Sequence, residues 1–338
     1  MKVPAQNVLK SAELAWLAVS SHKVSMLNQN SSPSERKGFP EDFWSKKEIK
    51  DTFLDEQREY IWNQDYFRNV LIPLFRLRSN SAVLDVGCGL GFICEKLAEF
   101  VPQGKIIGVD LDPKLIETAR ERSIKRNHLN TDYRVGNAYE LPLKDDSVDF
   151  SICQTLLMHL EEPLKAISEM RRVTRKGGKV VAIEPDFSSL SYFDTAYEEV
   201  GSSLEDRVKQ WRWNATLNAG KRKLGRGDNE IGPKVPVLFT QSGLKVMDVR
   251  LIDRAFWLVP PYEGRELELK HLMIPPEVMI EQLDMHREFL AGGGSESEWN
   301  EFLVKAKEVY DVSKRQIGEK TFLNTTLQAA TITVAEKT

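Results

Sequence analysis

The chain has 338 residues, 41% hydrophobic and 29% charged, as expected of a folded globular protein with one large domain or two modest ones. A formal net charge of −3 argues against a general attraction to nucleic acid or anionic membranes. The three cysteines, Cys88, Cys94 and Cys153, are odd in number and spaced for neither a disulfide framework nor a zinc site, so the expectation is a metal-free protein of the reducing cytoplasm.

Residues 1–80 read as mostly helical. The apolar run AELAWLAV is interrupted by Glu13 and bracketed by Lys10 on one side and His22 and Lys23 on the other. It is too short for a membrane span and lacks a secretory layout. SSPSERKG (31–38) reads as a loop. From residue 81 the chain alternates apolar runs with helical patterns. The runs AVLDVG, KIIGVDL, DYRV, VDFSIC and KVVAIEP are rich in Val and Ile and end in polar or turn residues, as buried parallel strands do. Between them, FICEKLAEFV places Phe92, Ile93, Leu97, Phe100 and Val101 near one side. PLKAISEMRRV places Leu164, Ile167, Met170 and Val173 in a stripe. This alternation predicts a doubly wound α/β sheet.

LKVMDVRLID (244–253) and TLQAATITVAE (326–336) read as two further strands. The insertion between them is expected to be mainly helical. Ser295 and Glu298 have capping-box spacing ahead of Trp299, Phe302, Leu303, Ala306, Val309 and Tyr310. Pro276 suits a first helical position. Met273, Met279, Met285 and Phe289 suit a helical cover or a hydrophobic core. In KQWRWNATL, Trp211 and Trp213 fall on different sides of a helix. VPPY (259–262) reads as a turn. The basic runs RRVTRKGGK (171–179) and KRKLGR (221–226) read as solvated surface, the first at a helix C-terminus where cations favour the dipole.

The chemistry concentrates in VLDVGCGLG (83–91). A dinucleotide turn usually runs G-x-G-x-x-G directly after its strand. Here an acid, Asp85, stands two residues before Gly87, Gly89 and Gly91, which alternate at every second position. That carboxylate suits a cationic amino group and would repel a pyrophosphate. Asp110, ending the next strand, stands where a carboxylate commonly binds ribose hydroxyls. Asn137, past the third strand, offers an amide for an adenine edge. Together the three describe S-adenosylmethionine.

Residues 81–186 resemble the class I S-adenosylmethionine-dependent methyltransferases. VLDVGCGLG is similar to the family's first motif and GVDLDPKLIETAR to its second. GNAYELPLKDDSVDFSICQTLLMHL is similar to the third and fourth, and RVTRKGGKVVAIEP to the segment leading into the fifth strand. The resemblance implies a Rossmann-like, seven-stranded sheet with its last strand antiparallel, carrying helical N-terminal and lid additions. It divides the chain into a helical extension covering the cofactor site (1–80) and a methyltransferase domain (81–338) with insertions about 187–230 and 254–320. It implies that Asp85, Gly87 and Gly89 line the methionine portion and that Asp110 holds the ribose. Leu111, Asn137 and Ala138 are then expected at the adenine, although the family often has Asp where this chain has Asn137. Gln154 is expected near the methionine end. EYIWNQDYF (59–67) is similar to helices that precede the core in some small-molecule methyltransferases, which implies that Tyr66 closes over the cofactor with Trp62 nearby.

A sulfonium methyl group is already electrophilic, so the protein mainly has to align a nucleophile and exclude water. A general base helps a hydroxyl or ammonium acceptor. The candidates are His159, Glu184 and Asp186, each with an ordinary packing or turn role as the alternative. Tyr192 and Tyr197 are candidates for a pocket roof. The expected function is methyl transfer from S-adenosylmethionine to a small organic acceptor, yielding S-adenosylhomocysteine, with no nucleic-acid or membrane partner. The alternatives are a protein or RNA methyltransferase, or a protein that binds the cofactor without turnover.

Overall fold

The computed structural model describes residues 43–46, 64–189, 191–252, 255–327 and 330–338. These form two compact units. One comprises 43–46, 64–189, 225–252 and 330–338; the other comprises 191–224 and 255–327. The strands are, in chain order, β1 (Ala82–Val86), β2 (Lys105–Asp110), β3 (Thr131–Val135), β4 (Val148–Gln154), β5 (Thr174–Pro185), β6 (Ser191–Asp194), β7 (Leu244–Leu251), β8 (Ala255–Leu258), β9 (Asn324–Leu327) and β10 (Ala330–Lys337).

The first unit is built on a seven-stranded sheet of order β3-β2-β1-β4-β5-β10-β7. Strands β1 to β5 pair in parallel, and β10 runs antiparallel to both β5 and β7. Two-sided burial explains the near-continuous apolar strands. Val83, Leu84, Val86, Val180, Val181 and Ala182 are all fully buried. The helix Pro113–Lys125 starts where Asp112 accepts a hydrogen bond from Lys114 N (2.8 Å), with Pro113 in the first position. The helix Phe92–Ala98 buries Phe92, Ile93 and Leu97 as expected, and also buries Glu95, which pairs with Arg122 and Arg126 from Pro113–Lys125 and beyond.

Several expectations change. The buried stripe of Pro163–Val173 consists of Ala166, Ile167, Met170 and Val173, while Leu164 stays exposed. Arg172 is no loose surface cation. Its guanidinium donates to Glu169, Asp145 and the carbonyls of Leu141 and Leu143. In KRKLGR, Arg226 is buried within the sheet unit and Lys221 within the other, against the solvated reading. TLQAATITVAE is two strands, β9 and β10, assigned to different sheets.

The second unit is helical but also holds a three-stranded antiparallel sheet, β6-β9-β8, which the sequence reading did not contain. Both long helices begin with capping boxes, Ser203–Asp206 for Leu204–Lys223 and Ser295–Glu298 for Glu296–Glu319. Pro276 opens the helix Pro276–Gln282. Trp213 is buried in a cluster with Leu217, Ile280, Phe289 and Trp299, whereas Trp211 is 64% exposed, so the two do lie on different sides. Met273 sits in a second cluster with Leu258, Leu269, Ile317 and Phe322, and Met285 packs against the first, which makes both core residues of this unit. VPPY is a turn in which the Tyr262 hydroxyl donates to Phe322 O (3.0 Å).

Candidate functional site

Asp85 lies on the central strand β1, opposite Gly108 of β2 and Ile152 of β4. It is buried, and its Oδ2 accepts from the Cys94 thiol (3.3 Å). Beyond it, Gly87 N and Cys88 N both donate to Val109 O (2.7 and 3.1 Å), which folds the loop over the end of β2. Gly87, Gly89 and Gly91 take φ of 71°, 53° and 78°. The alternation of glycines is therefore a backbone requirement. At Gly91 it is also a packing requirement, since a Cβ there would lie 2.5 Å from the Tyr133 hydroxyl and 2.7 Å from its ring; at Gly87 a Cβ would lie 2.8 Å from the end of the Leu156 side chain.

Asp110 fastens this loop from the next strand. Its Oδ2 accepts from Gly89 N (2.8 Å) and its Oδ1 from Asp112 N (3.0 Å). Burial pushes the Asp110 pKa above its ordinary value, while those backbone amides pull against the rise. Each carboxylate oxygen retains acceptor capacity beyond one amide, so a diol can be held here as well. The next residue, Leu111, is 59% exposed and presents an apolar surface beside the carboxylate. Burial pushes the Cys88 thiol up to about 11 and the Cys94 thiol well above its usual range, so neither is an activated nucleophile.

Gly136 N donates to Asp110 O (2.9 Å), which ties the segment after β3 to the same strand end. Asn137 is exposed, and its Oδ1 accepts from Tyr139 N (2.9 Å), holding its own turn. One lone pair of that oxygen is thus committed, and the carboxamide NH₂ is the group free of the turn. Ala138 packs at the edge of the sheet core. Gln154 is the last residue of β4 and partly buried. Tyr66 is partly buried within the helical stretch 64–75. Tyr60 and Trp62 lie outside the described residues.

The three base candidates have distinct settings. Glu184, near the end of β5, is fully buried. Its Oε1 accepts from Leu156 N (3.0 Å) and Leu157 N (2.9 Å), and its Oε2 from Met158 N (3.2 Å). It clamps the first amides of the turn Leu157–His159, an arrangement that favours a carboxylate held as an acceptor. Asp186 is buried, and its Oδ1 accepts from Ser188 N (3.1 Å) and Ser188 Oγ (2.5 Å). The His159 ring lies edge-on to Trp44, with centroids 4.5 Å apart. Tyr197 belongs to the helical unit, where Lys305 Nζ lies 5.6 Å from its ring centroid. The side chain of Tyr192 lies outside the described residues.

The sequence reading missed the partners of these groups. The end of the Leu156 side chain lies at Gly87, Tyr133 blocks Gly91, and the loop Gly225–Asp228 lies on the Glu184-held turn. A Cβ at Gly227 would be 2.2 Å from Met158 O, and Asp228 N donates to that same oxygen (2.9 Å). The Gly-Arg-Gly spacing of 225–227 was the available signal.

A family model described as a methyltransferase domain matches residues 84–182. A demethylmenaquinone methyltransferase of Oceanobacillus iheyensis is 30% identical over 198 residues, 54% of this chain and 80% of that one. The chain belongs to the class I S-adenosylmethionine-dependent methyltransferases. An uncharacterized methyltransferase of Schizosaccharomyces pombe is 34% identical over 128 residues; the match takes in 36% of this chain but only 46% of that relative's length. A solved S-adenosylmethionine-dependent methyltransferase from Aquifex aeolicus superposes with a TM-score of 0.42 at 21% identity, covering 58% of this chain and 86% of that one. The strand end fits the methyltransferase cofactor on chemical grounds. Two carboxylates on adjacent strands flank a glycine turn whose backbone is pinned by one of them, and an exposed apolar residue follows it.

Proposed function

We propose that this protein transfers the methyl group of S-adenosylmethionine to a small organic acceptor, with S-adenosylhomocysteine as product. The observation that carries the reading is the match to a demethylmenaquinone methyltransferase over 80% of that relative's length. By its name that relative acts on a small organic molecule.

The cofactor, when bound, supplies a methyl group already activated by its sulfonium. The chain's own residues bind and orient. Asp85 is assigned to the cationic amino group of the methionine portion, with Gly87 and Gly89 beside it. Asp110 is assigned to the ribose hydroxyls. Leu111, Asn137 and Ala138 are assigned to the adenine; the commitment of Asn137 Oδ1 to Tyr139 N favours the side-chain NH₂ as the recognition group. Gln154 is assigned to the methionine end and Tyr66 to the cover. Glu184 acts as a positioning residue, because its carboxylate is occupied with three backbone amides. The reaction then relies on alignment and water exclusion, and any proton from the acceptor passes to a group other than Glu184. Among the described residues no helix is long and apolar enough to cross a membrane, and the reading places the protein in the cytoplasm.

Calorimetric titration with S-adenosylmethionine, S-adenosylhomocysteine and NADH tests the cofactor assignment. Binding of the first two alone is expected; binding of NADH, or of none, would overturn it. Transfer of label from methyl-labelled cofactor, offered a small-metabolite fraction, a protein fraction and an RNA fraction, tests the acceptor. Label entering only protein or RNA would refute the small-molecule reading, and tight binding without transfer to any fraction would favour a non-catalytic binder.

A further inference from the structure

The seven-stranded sheet ends in β3 on one side and β7 on the other, and the two edges are finished differently. At β3, Ile106 N donates to Asn130 O and Gly136 N to Asp110 O, so the even-numbered residues face β2 and Tyr133 turns its carbonyl outward. Arg120 closes that edge, its Nε (3.1 Å) and Nη2 (2.5 Å) both donating to Tyr133 O. At β7, Ile252 N donates to Ala330 O (2.9 Å), which turns Ile252 and Arg250 toward β10 and directs the amides and carbonyls of Val249 and Leu251 outward. Among the described residues no group bonds to these two from the outer side.

An open edge is usually blunted by brevity, by proline or by charge. β7 is eight residues long and holds no proline. It carries three large apolar side chains in the open, Met247 (49% exposed), Val249 (45%) and Leu251 (69%). Its charges do not blunt it against a copy of itself. Asp248 and Arg250 flank Val249 and are joined along the strand, Arg250 Nε donating to Asp248 Oδ2 (2.9 Å). A second β7 added antiparallel must bring outward-facing residues opposite one another. Setting Val249 opposite Leu251 puts Arg250 opposite Arg250. Setting it opposite Met247 puts Asp248 opposite Asp248. Setting Val249 opposite its own counterpart puts Asp248 opposite Arg250 twice and Met247 opposite Leu251 twice. Opposite charges across a seam stabilise it and like charges do not. The irregularity in the β10–β7 ladder falls at the Met247 end, so Asp248, Val249 and Arg250 keep a regular register.

We propose that β7 is a self-association edge: a second copy of the chain adds its own β7 antiparallel, centred on Val249, and joins the two seven-stranded sheets into one. Val249 N–H of each copy donates to Val249 O of the other. The Asp248 carboxylates face the Arg250 guanidiniums across the seam, and Met247 and Leu251 cover each other. The occupant is a second copy because the charges of this strand complement themselves in that register. Two open edges would let copies add without end; with Arg120 closing β3, the two-fold pairing stops at a dimer. The assignment concerns assembly and does not rest on methyl transfer.

Sedimentation velocity of the whole chain over a range of concentrations reads the assembly. A monomer–dimer equilibrium is expected, with a dissociation constant on the order of 10 μM for a seam smaller than a standard interface. A chain that stays monomeric well above that concentration would overturn the proposal and leave the edge to a strand of another protein. Val249→Pro removes the outward N–H and leaves the ladder to β10 intact. It should abolish the dimer while the dilute protein keeps its melting temperature; an undiminished dimer would put the interface elsewhere. The register has its own test. Asp248→Arg and Arg250→Asp each set like charges opposite one another, so each variant alone should be monomeric. Mixed in equal amounts they set opposite charges across both pairs, and a heterodimer should form. Both variants must be folded for that recovery, so it separates a broken seam from a broken chain. If both keep the wild-type circular dichroism spectrum and the mixture stays monomeric while wild type dimerises, the register is wrong.

Discussion

The strand-end site and the packing between the long helices of the helical unit are built from different materials. At the ends of β1 and β2 the shape is made by backbone. Gly87 N and Cys88 N bond to Val109 O, Gly89 N bonds to Asp110, and three amides of the turn after β4 bond to Glu184. In the helical unit the shape is made by rings and crossed ion pairs. A backbone-built site depends on a few residues absolutely, namely glycines that reach positive φ and carboxylates that bind amides. A side-chain-built region spreads its dependence over many neighbours.

The sharpest test of that contrast is Glu184→Gln. The substitution keeps the volume but turns an acceptor-only carboxylate into a carboxamide whose NH₂ faces backbone donors. A loss of about 3 kcal/mol in unfolding free energy is expected, read by urea denaturation. If stability is unchanged while turnover is abolished, Glu184 is the base and the clamp reading fails.

Next in size is Asp110→Asn. A neutral amide binds hydroxyls less well than a carboxylate, and its NH₂ conflicts with Gly89 N or Asp112 N. S-adenosylhomocysteine affinity should fall by roughly ten- to a hundredfold. Asp110 also carries a pH signature. Its folded-state pKa is raised above the ordinary 3.8, so its contribution to folding stability is present below 3.8 and is lost as pH rises through the raised value. Cofactor binding runs the other way, because the ionised carboxylate is the better acceptor. Affinity should decline on acidification while the pH is still above 3.8, and Asp110→Asn should remove that dependence. A wild-type affinity flat across the range would place the ribose elsewhere.

These same residues show where sequence is informative. Asp85, the alternating glycines and Asp110 stand out because a backbone turn and its carboxylate tether admit few residue types. The parallel strands were legible for a similar reason, since two-sided burial leaves an unbroken apolar run. Glu184 was visible as an acid, but its partners Leu156, Leu157 and Met158 contribute only amides, which leave no mark on residue identity. The strands β6, β8 and β9 are four residues each, too short for alternation to separate them from loop. Lys221 and Arg226 were assigned to solvent because charge usually means exposure, and they are buried.

Gly91→Ala asks whether the loop tolerates any side chain. With φ at 78° and the Tyr133 hydroxyl 2.5 Å from the added carbon, a loss of about 1–3 kcal/mol is expected. Gly177, also at positive φ but with nothing near a built Cβ, supplies the control. Gly177→Ala reports the backbone cost alone, so it should lose less. Equal losses would mean that Tyr133 simply moves aside.

The smallest expected effect lies at Arg172, far from both regions in character. Its guanidinium reaches two carboxylates and two carbonyls, and the Glu169 pKa is held down by its hydrogen bonds to Arg172. Lysine keeps the charge but cannot reproduce a planar fork with donors in several directions. Arg172→Lys should therefore cost about 1 kcal/mol in unfolding free energy, through the lost donors to the Leu143 carbonyl and to the Leu141 carbonyl, which keeps its bond from Leu143 N (2.7 Å), and through the weaker fork to Glu169. Because Glu169 is depressed below 4.5, its share of the stabilisation is present above that value and is lost as pH falls through its folded-state pKa. The variant should match wild type more closely at pH 3 than at pH 7. A deficit that is the same at both would show that the carbonyl bonds, rather than the ion pair with Glu169, carry the whole effect.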